Sequence, residues 1–183
     1  MAITTRLLEA AEKRMRRGGY NAVSFRDLAS DTGIKSSSVH YHFPKKEDLG
    51  VALVERYSER FFDALEEAAS SARTPKDRLD ALVRVYRSAL VEDEAICLCG
   101  LLGAEVAGLP YPLSQGIQTF FTANIEWVED ALPDTIKKAE RNKIAGMVIA
   151  GLQGAMMIAT SLADTDIFDD ISATMVKQAL PGD

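Results

Sequence analysis

Apolar positions recur along this chain with the period of a helix. Ile3, Leu7, Leu8, Ala11 and Met15 fall on one helical face, and Arg6, Lys13, Arg14, Arg16 and Arg17 occupy the remainder. Gly18-Gly19 stops that helix, as C-terminal glycines do. Ser24 with Asp27 three residues on reads as a near capping box, opening a short helix Phe25–Thr32 that Gly33 ends. Ser36 is expected to cap a second short helix through about His42, closed because Pro44 disfavours helical geometry at Phe43. Lys45 or Lys46 then opens a long helix to about Ala72, with Leu49, Ala52, Leu53, Phe61 and Leu65 in helical register. Thr74-Pro75 suits a further helix start. The pattern predicts helices near 75–92, 96–108, 112–131, 135–163 and 167–179. Sustained period-two alternation is absent, so the expected fold is all-α with about nine helices.

Residues 144–163 carry no charge, a length that would just span a bilayer. Gly146, Gly151, Gln153, Gly154, Thr160 and Ser161 dilute the stretch and no aromatic belt flanks it. It reads as a helix buried between protein surfaces, with no membrane partner. The N-terminus has charges inside its apolar positions and does not read as a signal peptide.

The 183 residues are 47% hydrophobic and 26% charged, enough for a packed core in one large or two small domains. Charge divides unevenly along them. The first fifty residues hold nine Lys and Arg against six Asp and Glu, a net of +3, inside a chain whose formal net charge is −6. A polyanion is bound by a local basic cluster rather than by average charge, so the acidic total leaves a nucleic-acid partner open.

The segment GIKSSSVHYHFPKKEDL, Gly33 to Leu49, gives that basic region a purpose. Two short helices joined by a tight turn, the second polar and rich in small residues, describe a helix-turn-helix. Small residues let the second helix approach a major groove about 12 Å wide. Ser36, Ser37 and Ser38 either cap or hydrogen-bond base edges and phosphates, and His40, Tyr41 and His42 offer donors further along. Lys46 at the next helix start and Arg26 in the preceding helix suit the phosphate backbone. The expected DNA-contacting residues are Arg26, Lys35, Ser36, Ser37, Ser38, His40, Tyr41 and Lys46. His40 and His42, two residues apart, do not share a helix face, which argues against a metal site.

Thr4–Leu49 resembles the N-terminal domain of the TetR/AcrR family of one-component transcriptional regulators. The features that carry the likeness are Tyr20 after the double glycine, Arg26-Asp27-Leu28-Ala29, Gly33 in the turn, and Phe43-Pro44-Lys45-Lys46-Glu47-Asp48-Leu49. The resemblance implies a three-helix DNA-binding domain over 1–48 and a larger helical ligand-binding and dimerisation domain over 49–183. It places the recognition helix at Ser36–His42. The family's phosphate-contacting aromatic falls on His40, where tyrosine is commoner, Tyr41 takes the next contact position, and Lys46 matches the family's lysine. It also implies a homodimer on a palindromic duplex operator, a small, largely apolar effector that releases it, and a cytoplasmic location.

The best candidates for the dimer interface lie within 144–179: the uncharged helix and the amphipathic end helix with Ile167, Phe168, Ile171, Met175 and Val176. Apolar residues that could line an effector site are Tyr86, Leu101, Leu102, Phe120, Phe121, Trp127, Met147 and Met156, with Glu105, Asn124 and Gln153 as polar tips among them. Aromatic and methionine stripes are also what a plain core looks like. Cys97 and Cys99 are either packing residues or a redox- or electrophile-sensing pair on the same DNA-binding scaffold. No nucleophile pairs with a base and no metal-ligand spacing appears, so catalysis, a metal and a cofactor are not expected.

Overall fold

A computed structural model describes residues 2–180, and among them nine α-helices and no strand are found. They are α1 (Ile3–Gly18), α2 (Phe25–Thr32), α3 (Ser36–His42), α4 (Lys46–Ala69), α5 (Pro75–Val91), α6 (Leu98–Ala104), α7 (Tyr111–Ala131), α8 (Lys138–Leu162) and α9 (Asp166–Ala179). Single 3-10 turns lie at Tyr20–Ala22 and Val106–Gly108.

Local chemistry explains most boundaries. The Ser24 hydroxyl accepts the Asp27 N–H at 3.1 Å and starts α2. Gly33 ends it in the left-handed region at φ +66°, and the Ile34 N–H returns to the Ala29 carbonyl at 3.1 Å. One expected cap moves: Lys35 holds the N-cap position of α3, so Ser36 is the first helical residue and its side chain is free to face outward. The predicted helix over 96–108 breaks at Glu105, whose N–H closes on Leu102 rather than one residue further back, giving α6 and a separate turn. Residues 133–136 form a turn closed by the Ile136 N–H on the Pro133 carbonyl, which delays α8 to Lys138.

The Thr74 hydroxyl accepts the Asp77 N–H at 3.1 Å and the Asp77 carboxylate accepts the Thr74 N–H at 3.0 Å, a complete capping box with Pro75 in the first turn of α5. The Arg73 amide, then the Thr74 hydroxyl and amide, hold the Asp77 carboxyl below its ordinary value. A depressed folded-state value means that the cap's contribution is complete above the unfolded carboxyl value and is lost as pH falls through the folded one. Asp77→Ala should therefore lower the Tm at neutral pH, with the gap to the parent protein closing below about pH 4. Melting curves from pH 7 to 3 check this; a gap that persists unchanged at pH 3 would refute it.

The chain forms two compact units. One is the chain through Glu59 together with Leu98–Thr119. Leu7, Leu8, Ala11, Met15, Leu28, Val39, Phe43, Leu49 and Leu53 are among its buried apolar residues, with α1 against α2, α2 against α3, and α6 against α1. The Arg6 guanidinium donates to the Thr32 carbonyl and ties α1 to the end of α2. The other unit is Arg60–Cys97 with Phe120 onward. Its largest helix contact joins α8 and α9, and α5 packs on both. A two-pronged ion pair, Arg87 to Asp169 at 2.7 and 2.9 Å, links α5 and α9 at the surface.

By length and composition alone α8 could cross a bilayer. Its burial is one-sided. Ala145, Val148, Ile149, Leu152, Ala155, Met156 and Ala159 are buried, while Met147, Ile158 and Leu162 on the other side are exposed. The sequence reading is of a helix buried between protein surfaces; within this chain one face of α8 is buried, and Met147, Ile158 and Leu162 are left exposed by the described residues.

Candidate functional site

α3 is pinned from beneath and open above. Val39 is fully buried, and Phe43, four residues on, continues the buried side. Lys35, Ser36, Ser37, His40 and Tyr41 are exposed, and Ser38 is half-buried. Tyr41 is 84% exposed, an unusual setting for an aromatic ring that serves only packing. The His40 ring meets Phe25 edge-on at 4.7 Å, which orients it on the outer side of α3. The two histidines divide here: His42 Nδ1 lies 3.2 Å from the Thr4 hydroxyl, so His42 fastens the end of α3 to α1. Arg26 is exposed in the first turn of α2.

Lys46 opens α4 beside this surface. The Lys45 N–H donates to the Asp48 carboxylate at 2.9 Å, which caps the helix. The Lys46 ammonium sits over the Tyr20 ring, 4.3 Å from its centre. Burial pushes the Lys46 ammonium below its ordinary value, and the Glu105 charge opposes that shift. Burial in turn raises the Tyr20 phenol, with Glu47 adding to the effect. All the expected DNA-contacting residues thus belong to one compact unit.

The expected effector-lining residues separate. Leu101, Leu102 and Glu105 belong to the same unit as α1–α3. The Glu105 carboxylate accepts the Tyr20 N–H at 2.9 Å, across 85 residues of sequence. Sequence reasoning could not find that pairing, because nothing local marks it. In the other unit, Tyr86, Phe120, Asn124 and Gln153 come together. The Tyr86 hydroxyl donates to Asn124 Oδ1 at 3.3 Å and accepts from Gln153 Nε2 at 3.2 Å. Asn124 Nδ2 donates to the Phe120 carbonyl at 2.9 Å. Phe61 completes an aromatic cluster, its ring centre 5.3 Å from Tyr86 and 5.1 Å from Phe120. Phe121 is half-buried beside Phe120 at 5.5 Å, and Met156 is buried. Trp127 stands apart, its indole N–H on Glu66 at 3.1 Å and Arg78 over its ring. Met147 is exposed and lines a groove of about 400 Å³ between α8 and α9 with Gly151, Ile171, Thr174 and Met175. Cys97 and Cys99 are buried, 1% and 0% exposed, and form no disulfide, so an oxidant reaches them only after local opening.

The family model described as bacterial regulatory proteins, tetR family, matches residues 7–53, the span that carries this surface. The chain is 27% identical over 107 residues to the transcriptional regulator AcuR of Cereibacter sphaeroides, covering 57% of this chain and 49% of that protein. It is 32% identical over 76 residues to the transcriptional repressor KstR2 of Mycobacterium tuberculosis, covering 42% and 38%. The matches thus span half or less of these curated relatives. A solved TetR transcriptional regulator from Legionella pneumophila is similar over 97% of both chains, at 25% identity and a TM-score of 0.91.

Proposed function

We propose that the chain, whose residues 7–53 match the tetR family model, is a DNA-binding transcriptional regulator of that family, a repressor that a small, largely apolar effector releases from a palindromic operator. The observation that carries the reading is the outer surface of α3. Exposed Ser36, Ser37, His40 and Tyr41 stand on a buried Val39, and Lys35, Arg26 and Lys46 flank them with positive charge. Hydroxyls and rings at such positions read base edges and phosphates, while the cations supply affinity that weakens with salt. The first domain, residues 1–48, carries this contact, and 49–183 carry the effector site and dimerisation.

Two half-sites about 34–36 Å apart demand two reading helices, hence a homodimer. The exposed side of α8 supports one built from residues 144–179. Met147, Gly154, Ile158 and Leu162 lie on that side at helical spacing. A side chain added at Gly154 would meet nothing within 4 Å, so packing inside one copy does not demand that glycine. A mid-helix glycine costs about 1 kcal/mol relative to alanine, and close approach of a second helix accounts for its presence. The effector is a small molecule with one or two neutral polar groups. The Tyr86, Asn124 and Gln153 tips beside Phe120, Phe121 and Met156 support that chemistry. The protein acts in the cytoplasm, without a cofactor or metal.

Selection of bound sequences from random duplexes tests the reading: a palindrome is expected, and no enrichment at low salt would end it. Against the selected duplex, Lys46→Ala should weaken binding about tenfold at 100 mM salt and reduce the slope of log affinity against log salt by about one. Fluorescence anisotropy titrations at several salt concentrations measure both; an unchanged slope would remove Lys46 from the phosphate contacts.

A further inference from the structure

Glu105 does not join the polar tips of the second unit; it lies among residues of the DNA-binding unit. Its carboxylate accepts the Tyr20 N–H at 2.9 Å, at the turn that follows α1. Gly19, the residue before Tyr20, is shaped to that carboxylate. A Cβ there would stand 1.8 Å from Glu105 Oε1, so any side chain at this position displaces the carboxylate. The Tyr20 ring in turn carries the Lys46 ammonium 4.3 Å from its centre. Carboxylate, amide, ring and ammonium form one connected group, and the Glu105 charge is felt at Lys46.

We propose that Glu105 is a positioning residue for DNA binding, which fixes the Tyr20 turn on which Lys46 rests and competes with a DNA phosphate for the Lys46 ammonium. This rests on the DNA-binding reading above. Two effects of opposite sign follow. As an acceptor Glu105 keeps the Tyr20 ring, and so the Lys46 side chain, in place. As an anion it weakens the hold of Lys46 on a phosphate, because two negative groups share one cation in a partly solvated setting. Val106–Gly108 begins directly after Glu105, so a shift of that turn would move the carboxylate with it.

The experiment uses the full chain, the selected duplex and salt from 50 to 300 mM. Glu105→Gln keeps a carbonyl oxygen for the Tyr20 N–H and removes the charge. It should tighten binding about threefold to fivefold at the lowest salt, with the gain shrinking as salt rises. In a Lys46→Gln background the same change should have no effect. Glu105→Ala loses the acceptor as well and should bind more weakly than Glu105→Gln. A Glu105→Gln protein that binds as the parent does, or tightens equally without Lys46, overturns the proposal. So does equal binding by the Gln and Ala variants. A parent protein that binds no duplex at any salt instead overturns the DNA-binding reading itself.

Discussion

Ile158→Arg should halve the solution mass of the protein and collapse its operator binding. Ile158 is 46% exposed in the single chain, so an arginine there can reach water and the protomer should keep its helical circular dichroism and cooperative melting. In the proposed dimer the same position faces a second copy. A two-fold interface repeats each substitution, so two charges are buried without partners. Each costs several kcal/mol, enough to raise the dimer dissociation constant about a hundredfold or more. Operator affinity falls with it, because a lone recognition helix has only one half-site to hold. Sedimentation at micromolar concentration reads the mass directly, and a variant that still sediments as a dimer would move the interface away from this face of α8. Gly151 adds a constraint from within the chain: an added Cβ would lie 2.6 Å from the Met175 sulfur, so α8 and α9 already approach closely there.

The second large effect is on stability. Gly19→Val should destabilise the DNA-binding unit by about 2–5 kcal/mol. Gly19 has φ +76° and ψ −174°, a region that essentially only glycine occupies. A β-branched residue brings backbone strain of about 1–3 kcal/mol at such a position. Its Cβ also collides with the Glu105 carboxylate, which must leave the Tyr20 N–H. Pairing Gly19→Ala with Glu105→Ala separates the two costs. The double variant relieves the collision and keeps the strain, so it should recover only part of the stability lost by Gly19→Ala alone. Denaturant unfolding provides the measurement. A loss below about 0.5 kcal/mol for Gly19→Val would show that the turn re-forms at no cost and that the carboxylate does not depend on it.

Both predictions bear on how much of this protein is legible along its chain. Helix count and most boundaries are legible because their causes are local. Ser24 and Asp27 are three residues apart, Gly33 ends α2 by its own conformational freedom, and Pro44 acts on its neighbour Phe43. The outer surface of α3 is legible for the same reason, since a seven-residue helix with Val39 inward leaves little choice of which side chains face out. Even there the sequence misplaced a cap: serine is favoured both as N-cap and in the first turn, and Lys35 took the position.

Composition and periodicity determined an all-α chain, a basic helix-turn-helix segment at its start and an uncharged helix near its end. Tertiary structure alone decided that Glu105 meets Tyr20 rather than Asn124, that His42 fastens to Thr4 while His40 faces outward, and which side of α8 is left uncovered. The reason is physical. A helix period says that side chains share a face, but which face is buried, and what a half-buried carboxylate finds there, depends on segments brought together from far along the chain.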